Sequence, residues 1–128
     1  MKQLCVAVVL AVLTGNAAAE WALVSKNVEF LVYADRVTSQ RTGSIVRMWV
    51  MYDQLSREII EDRVYLSSEI LNEYDCKKKQ WRQIYVLKYS GHMGAGRLFP
   101  FHAPSAKWGS VRPSTTLEAE WAFACRKK

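Results

Sequence analysis

At 128 residues the chain has the length of one domain, and its 18 Lys and Arg against 12 Asp and Glu give a formal charge of +6. After the first residues it shows no repeat, no low-complexity linker and no break in composition, which excludes a multidomain or repeat architecture. No segment reaches the roughly 20 apolar residues that a membrane span needs, and the basic balance favours acidic partners: polysaccharide, lipid head groups, nucleic acid or acidic protein patches.

The chain begins with the short cationic start Met1-Lys2-Gln3, an apolar run from Leu4 to Leu13, and the small residues Ala17 to Ala19. This order is that of a secretory signal peptide with an Ala-x-Ala cleavage site; the alternative is a buried N-terminal helix. Residues 1–19 are expected to be removed, leaving a domain over residues 20–128. Cys5 leaves with the apolar run. It sits too early to become a lipidated first residue, and no cysteine stands near Ala19. The expectation is therefore an exported protein, periplasmic or secreted to the cell surface, without a lipid anchor. Cys76 and Cys125 remain, and two cysteines in an exported chain of this size read as one disulfide. Closing so long a loop is worth roughly 4 kcal/mol in the chain-entropy model.

Val28–Tyr33 is rich in β-branched and aromatic residues and reads as a strand, with Val28, Phe30 and Val32 on one face. A polar loop, Thr38–Gly43, follows. Ser44–Tyr52 reads as a long strand, apolar on both faces apart from Arg47, and so central in its sheet. Glu58–Tyr74 fits either a helix or two short strands. Lys77–Gln80 suits a hairpin tip, and Trp81–Tyr89 a further strand. The three glycines of Gly91–Gly96 suggest a flexible loop, and Pro100, Pro104 and Pro113 keep the next stretch irregular. Thr115 with Glu118 three residues later is a capping box. Leu117, Trp121 and Ala124/Cys125 then form one apolar stripe of a short helix. A Cys76–Cys125 bridge would pin that helix to the sheet, giving an α+β domain of antiparallel strands and one C-terminal helix.

Several of these segments together resemble the surface-adhesin protein E family of Gram-negative bacteria. Gly43 to Val50 (GSIVRMWV) is similar to the family's long central strand, and Tyr74–Cys76 to its strand ending in the first cysteine. Tyr89 to Gly96 (YSGHMGAG) is similar to its Tyr-Ser-Gly-x-Met-Gly-x-Gly loop. Trp108, Val111, Pro113, Ser114, Glu118 and Cys125 follow its closing pattern. The resemblance implies an antiparallel sheet of about six strands with a helix packed on it, and it turns Glu58–Tyr74 towards strand, at least at its end. The family's name-giving member is an outer-membrane lipoprotein that binds host matrix and serum proteins such as laminin and vitronectin, so the resemblance implies cell adhesion. This chain departs from it in lacking the lipidation cysteine.

No catalytic set is expected. His92 and His102 are the only histidines and no nucleophile elbow accompanies them. With both remaining cysteines in a bridge, no metal and no cofactor are expected either. Gly91–Gly96 lacks the Lys-Ser/Thr pair of a phosphate loop, and Pro100 blocks a helix after it. Glu58, Glu61 and Asp62 read as a solvated acidic face. The candidate site is cationic. A disulfide would place Lys77, Lys78 and Lys79 beside Arg126, Lys127 and Lys128, with Trp81 and Arg82 close by. The plainer reading is an exposed hairpin tip and a complement to the helix C-terminus. The expected function is a non-enzymatic, adhesin-like binding protein for an acidic or polyanionic macromolecule: a host matrix protein, a polysaccharide or lipopolysaccharide, with nucleic acid not a physiological ligand. The alternative is a periplasmic inhibitor or accessory protein of an envelope-active enzyme such as lysozyme, which would call for an acidic face.

Overall fold

The computed structural model describes residues 19–101 and 106–126. Its elements in chain order are β1 (Trp21–Lys26), β2 (Phe30–Asp35), β3 (Gln40–Thr42), β4 (Ile45–Ile60), β5 (Arg63–Asp75), β6 (Gln80–Tyr89), a 3-10 turn (His92–Gly94), β7 (Leu98–Phe101), β8 (Gly109–Ser110) and α1 (Thr116–Cys125). All pairings are antiparallel. The sheet runs β1-β2-β4-β5-β6-β7, with the short β3 added to β4 and β8 to β6. The expected α+β architecture is present: six strands form the continuous path and two short ones extend it.

The ambiguous stretch Glu58–Tyr74 is strand throughout, apart from one turn. Ile60 pairs with Arg63, so Glu61 and Asp62 alone make the hairpin turn, and both take positive φ, 50° and 63°. Such a turn matches the right-handed twist of the strands, and Asn-Gly or Asp-Gly is its usual signal. Glu-Asp carries no such signal, and a register shift between Asp53 and Glu58 breaks the alternation just before it. Those two features hid a continuous hairpin. Val28, expected to start the strand and share a face with Phe30 and Val32, precedes β2 and is 91% exposed. Asn27 Oδ1 accepts from the Glu29 and Phe30 amides at 2.8 and 3.0 Å and so turns the chain there.

One sheet face forms the core. Val46, Met48 and Val50 of β4 lie there with Ala34 and Tyr74, all at most 1% exposed. Leu117, Trp121, Phe123, Ala124 and Cys125 of α1 pack against them, as the apolar stripe required. Each fully buried side chain of this size is worth about 1.5–3 kcal/mol. Thr115 caps the helix by accepting from the Glu118 amide at 3.1 Å, while the Glu118 carboxylate accepts from the Ser114 amide at 3.2 Å. The Trp121 indole N–H donates to the Asp75 carbonyl at 3.0 Å. Cys76 and Cys125 are bonded, with Cα atoms 5.5 Å apart and a separation of 49 residues.

A carboxylate also enters this core. Glu120 of α1 is wholly buried. It accepts from the Tyr52 hydroxyl, from the Tyr74 hydroxyl at 2.7 Å and from the Asn72 amide at 3.3 Å. Burial pushes its pKa up to about 6 against those three donors. Burial, and then the Glu120 charge, raise both tyrosine hydroxyls, which therefore stay protonated donors.

The second face is covered in part by the segment Gly91–Gly96. Ser67 Oγ donates to the Gly91 carbonyl at 2.6 Å and accepts from the Gly94 amide at 2.9 Å. Asp53 Oδ1 accepts from the Met93 amide at 3.0 Å and meets His92 Nδ1 at 3.0 Å. Gly94 has φ +73°, and a Cβ there would come within 2.8 Å of Glu69 Oε1 and 3.1 Å of the Met51 methyl, so only glycine lets the turn sit this close. The glycines expected to make a flexible connection instead allow an anchored one.

Candidate binding surface

The cationic residues named from sequence divide according to the strands that carry them. Asp75 Oδ1 accepts from the Lys77 and Lys78 amides at 3.0 and 2.9 Å, which folds the chain into a tight turn directly after Cys76. The side chains of Lys77 and Lys78 are left exposed, with no ion pair among the described residues. Arg126 is exposed too and leaves the helix beside Cys125. The disulfide therefore joins these three cations at one end of the molecule.

Lys79 and Arg82 are differently engaged. Lys79 Nζ lies 2.7 Å from Glu118 Oε2 and 5.2 Å from the centre of the Trp121 ring. That ammonium, with the Ser114 amide, holds the Glu118 carboxyl below its ordinary pKa. Trp81 and Arg82 are successive strand residues, so they project to opposite faces of the sheet. Trp81 packs on the core, opposite Tyr74. Arg82 lies on the other face, 2.6 Å from Glu73 Oε1, with its guanidinium 4.6 Å from the centre of the Trp108 ring. Arg47 reaches the same carboxylate at 3.3 Å. Trp81 is thus no exposed stacking platform between cations; Lys79 lies over the half-buried Trp121 ring and Arg82 over the half-buried Trp108 ring instead. Lys127, Lys128 and His102 lie outside the described residues.

A further cation joins from an unexpected quarter. Arg36, just after β2, sits 5.4 Å from the centre of the Phe123 ring, and Arg126 sits 5.7 Å from it. The two guanidiniums border a groove of about 390 Å³ between β1 and α1, floored by Ala22, Val24, Ala119 and Ala122. Arg36 is far from Arg126 in sequence, and only the docking of α1 across the sheet brings them to one ring. No local pattern announces that. Among the described residues no group of three or more His, Cys, Asp and Glu could hold a metal ion.

A single antiparallel sheet, closed on one face by a disulfide-tethered C-terminal helix and showing cations at the tether, is the frame of a small binding domain. The profile of the surface-adhesin protein E family matches residues 21–126, and the chain belongs to that family. The fold is that of Haemophilus influenzae protein E. Crystal form II of that protein aligns with a TM-score of 0.70 at 17% identity, covering 86% of this chain and 90% of that one. Another Haemophilus influenzae protein E structure aligns at 0.64 and 19% identity, covering 86% of each chain. That from a non-typeable strain aligns at 0.63 and 18%, covering 87% of this chain and 78% of the other. No curated protein matches the sequence. The family is one of surface adhesins.

Proposed function

We propose that the mature chain is an exported, non-enzymatic, adhesin-like domain that contacts an acidic or polyanionic macromolecule through Lys77, Lys78 and Arg126, with Arg36 extending the surface. The observation that carries this reading is the disulfide, which holds two unpaired lysines and an arginine at one point. Family membership supports the adhesive role, and no described helix is long and apolar enough to cross a membrane. Such a protein would act in the periplasm or at the cell surface without a lipid anchor.

The test uses a sulfated polysaccharide of the heparin type as probe. Binding is expected to fall steeply as salt rises, because exposed charges are screened within about 8–10 Å at physiological ionic strength. Lys77→Gln/Lys78→Gln should weaken binding several-fold, at about 0.5–1 kcal/mol per exposed contact, and Arg126→Gln should add to that. The double variant Lys79→Gln/Arg82→Gln is an internal control of equal charge change to Lys77→Gln/Lys78→Gln. Lys79 is held by Glu118 and Arg82 faces the other side with Glu73, so it should have little effect. Equal losses for the two double variants would reduce the surface to general basicity and overturn the assignment.

A further inference from the structure

A second site lies on the opposite face, at the start of β1. A cavity of about 260 Å³ is lined by Ala19, Trp21, Asp35, Thr38, Trp49 and Glu69. Trp21 pairs with Asp35 across β1 and β2, so one end of β1 forms a wall of this cavity. Asp35 is only 1% exposed, yet its carboxylate accepts from neutral donors alone: the Val37 amide at 3.0 Å, the Thr38 hydroxyl, and the Glu20 amide nitrogen at 3.2 Å. Among the described residues neither Asp35 nor Glu69 is ion-paired with Lys, Arg or His. A buried anion without a cation is costly. Glu69 registers the same imbalance: burial raises its pKa, the Tyr89 hydroxyl opposes that, and the Asp35 charge adds to the rise.

The one donor of the three that processing would change is the Glu20 nitrogen. We propose that hydrolysis of the Ala19–Glu20 peptide bond by an export-associated peptidase turns this nitrogen into the α-ammonium that pairs with Asp35, so that maturation completes the cavity and locks β1 onto the sheet. The inference rests on the reading of residues 1–19 as a cleaved signal peptide. Water supplies the hydroxyl that the Ala19 carbonyl carbon gains and the hydrogen that the departing nitrogen gains. A further proton from solvent makes the ammonium. The same cleavage removes Ala19 from the cavity wall and makes room for the three N–H bonds of the new terminus. Trp21 and Trp49 keep the pair partly shielded from water, where it is stronger than at an open surface. Before cleavage the position holds a neutral amide, and Asp35 has only hydrogen bonds to balance its charge.

Two measurements separate the pair from the processing. Intact mass of the exported protein should show Glu20 as the first residue; another first residue overturns the processing step, and the proposal with it. The pair is then tested on protein that begins at Glu20, with the α-amino group free or acetylated. Acetylation keeps the N–H and removes the charge. The free form should melt several degrees higher at pH 7, and its α-amino pKa should lie about one unit or more above the ordinary 7.7–8.0. The titratable groups around the ammonium are Asp35, Glu69 from β5, Tyr89 from β6 behind it, and the Glu20 side chain itself. All of these groups are present in both the free and the acetylated form, so the difference between the two pH profiles reports the ammonium. A raised ammonium pKa stabilises fully below the unfolded value near 8 and fades as pH rises through the folded value. The advantage of the free form should therefore vanish by about pH 10. Asp35→Asn keeps an acceptor for the Val37 amide and should abolish the difference between the two forms. An α-amino group titrating at its ordinary value, with equal melting of free and acetylated protein, overturns the pair while leaving the processing intact.

Discussion

Replacing Cys76 and Cys125 together by serine should lower the melting temperature by on the order of 15 °C. The bridge closes a loop of 49 residues, worth about 4 kcal/mol of unfolded-chain entropy. For a domain of this size each kcal/mol corresponds to roughly 4 °C. The effect should reach the helix first. A ten-residue helix is too short to persist unaided in water. Without the bridge, α1 keeps its apolar stripe, the Trp121 bond to Asp75 and the Thr115 cap, which hold its start and middle better than its end. Thermal unfolding followed by circular dichroism, on the double variant and on the parent with and without reductant, measures this. A drop of only a few degrees would mean that packing alone holds α1. The same variant bears on binding: with charge unchanged, Lys77 and Lys78 are released from Arg126, so polyanion affinity should fall even at a temperature where the protein stays folded.

What the sequence disclosed depended on how local each signal was. The cap at Thr115, the stripe through Leu117 and Trp121, and the disulfide are each readable within a few residues or from cysteine number alone, and all three stand in the structure. The β4–β5 hairpin was obscured because Glu61-Asp62 adopts positive φ without glycine or asparagine. The cationic cluster was read from adjacency to the cysteines, which located Lys77, Lys78 and Arg126. Adjacency could not assign faces. Strand alternation turns Arg82 away, and Lys79 reaches Glu118, a residue 39 positions on. Arg36 and the Asp35 cavity were invisible because each joins distant segments: the first where α1 docks beside β1 and β2, the second on the other face, between residues of β1, β2, β4 and β5. Glu120 stands between Leu117 and Trp121 in the sequence of the helix, but its partners Tyr52, Asn72 and Tyr74 come from two distant strands, and no local pattern names them.

That buried carboxyl gives the other large expected effect, and its sign is set by the direction of its shift. Folding raises the Glu120 pKa from an ordinary value near 4.5 to about 6. Between those values the native state binds more protons than the unfolded chain. The contribution of Glu120 to stability is therefore greatest below about pH 4.5 and is lost as pH rises through 6. The swing is on the order of 2 kcal/mol, at about 1.4 kcal/mol per unit. Glu69 is raised by burial as well and adds in the same direction. Glu118, lowered by Lys79, acts in the opposite direction but lies at the surface, where screening weakens it. Glu120→Gln keeps an acceptor and adds donors without a charge. It should flatten the difference between pH 4.5 and 7 and cost little at pH 7. Glu120→Ala should cost about 3 kcal/mol or more at either pH, because it strands the Tyr52 and Tyr74 hydroxyls and the Asn72 amide and leaves a void between α1 and the sheet. Urea unfolding of the three proteins from pH 4 to 8 decides the matter. If Glu120→Gln retains the pH slope of the parent, the titrating group lies elsewhere; if Glu120→Ala is as stable as the parent, the tyrosine clamp does not hold the helix.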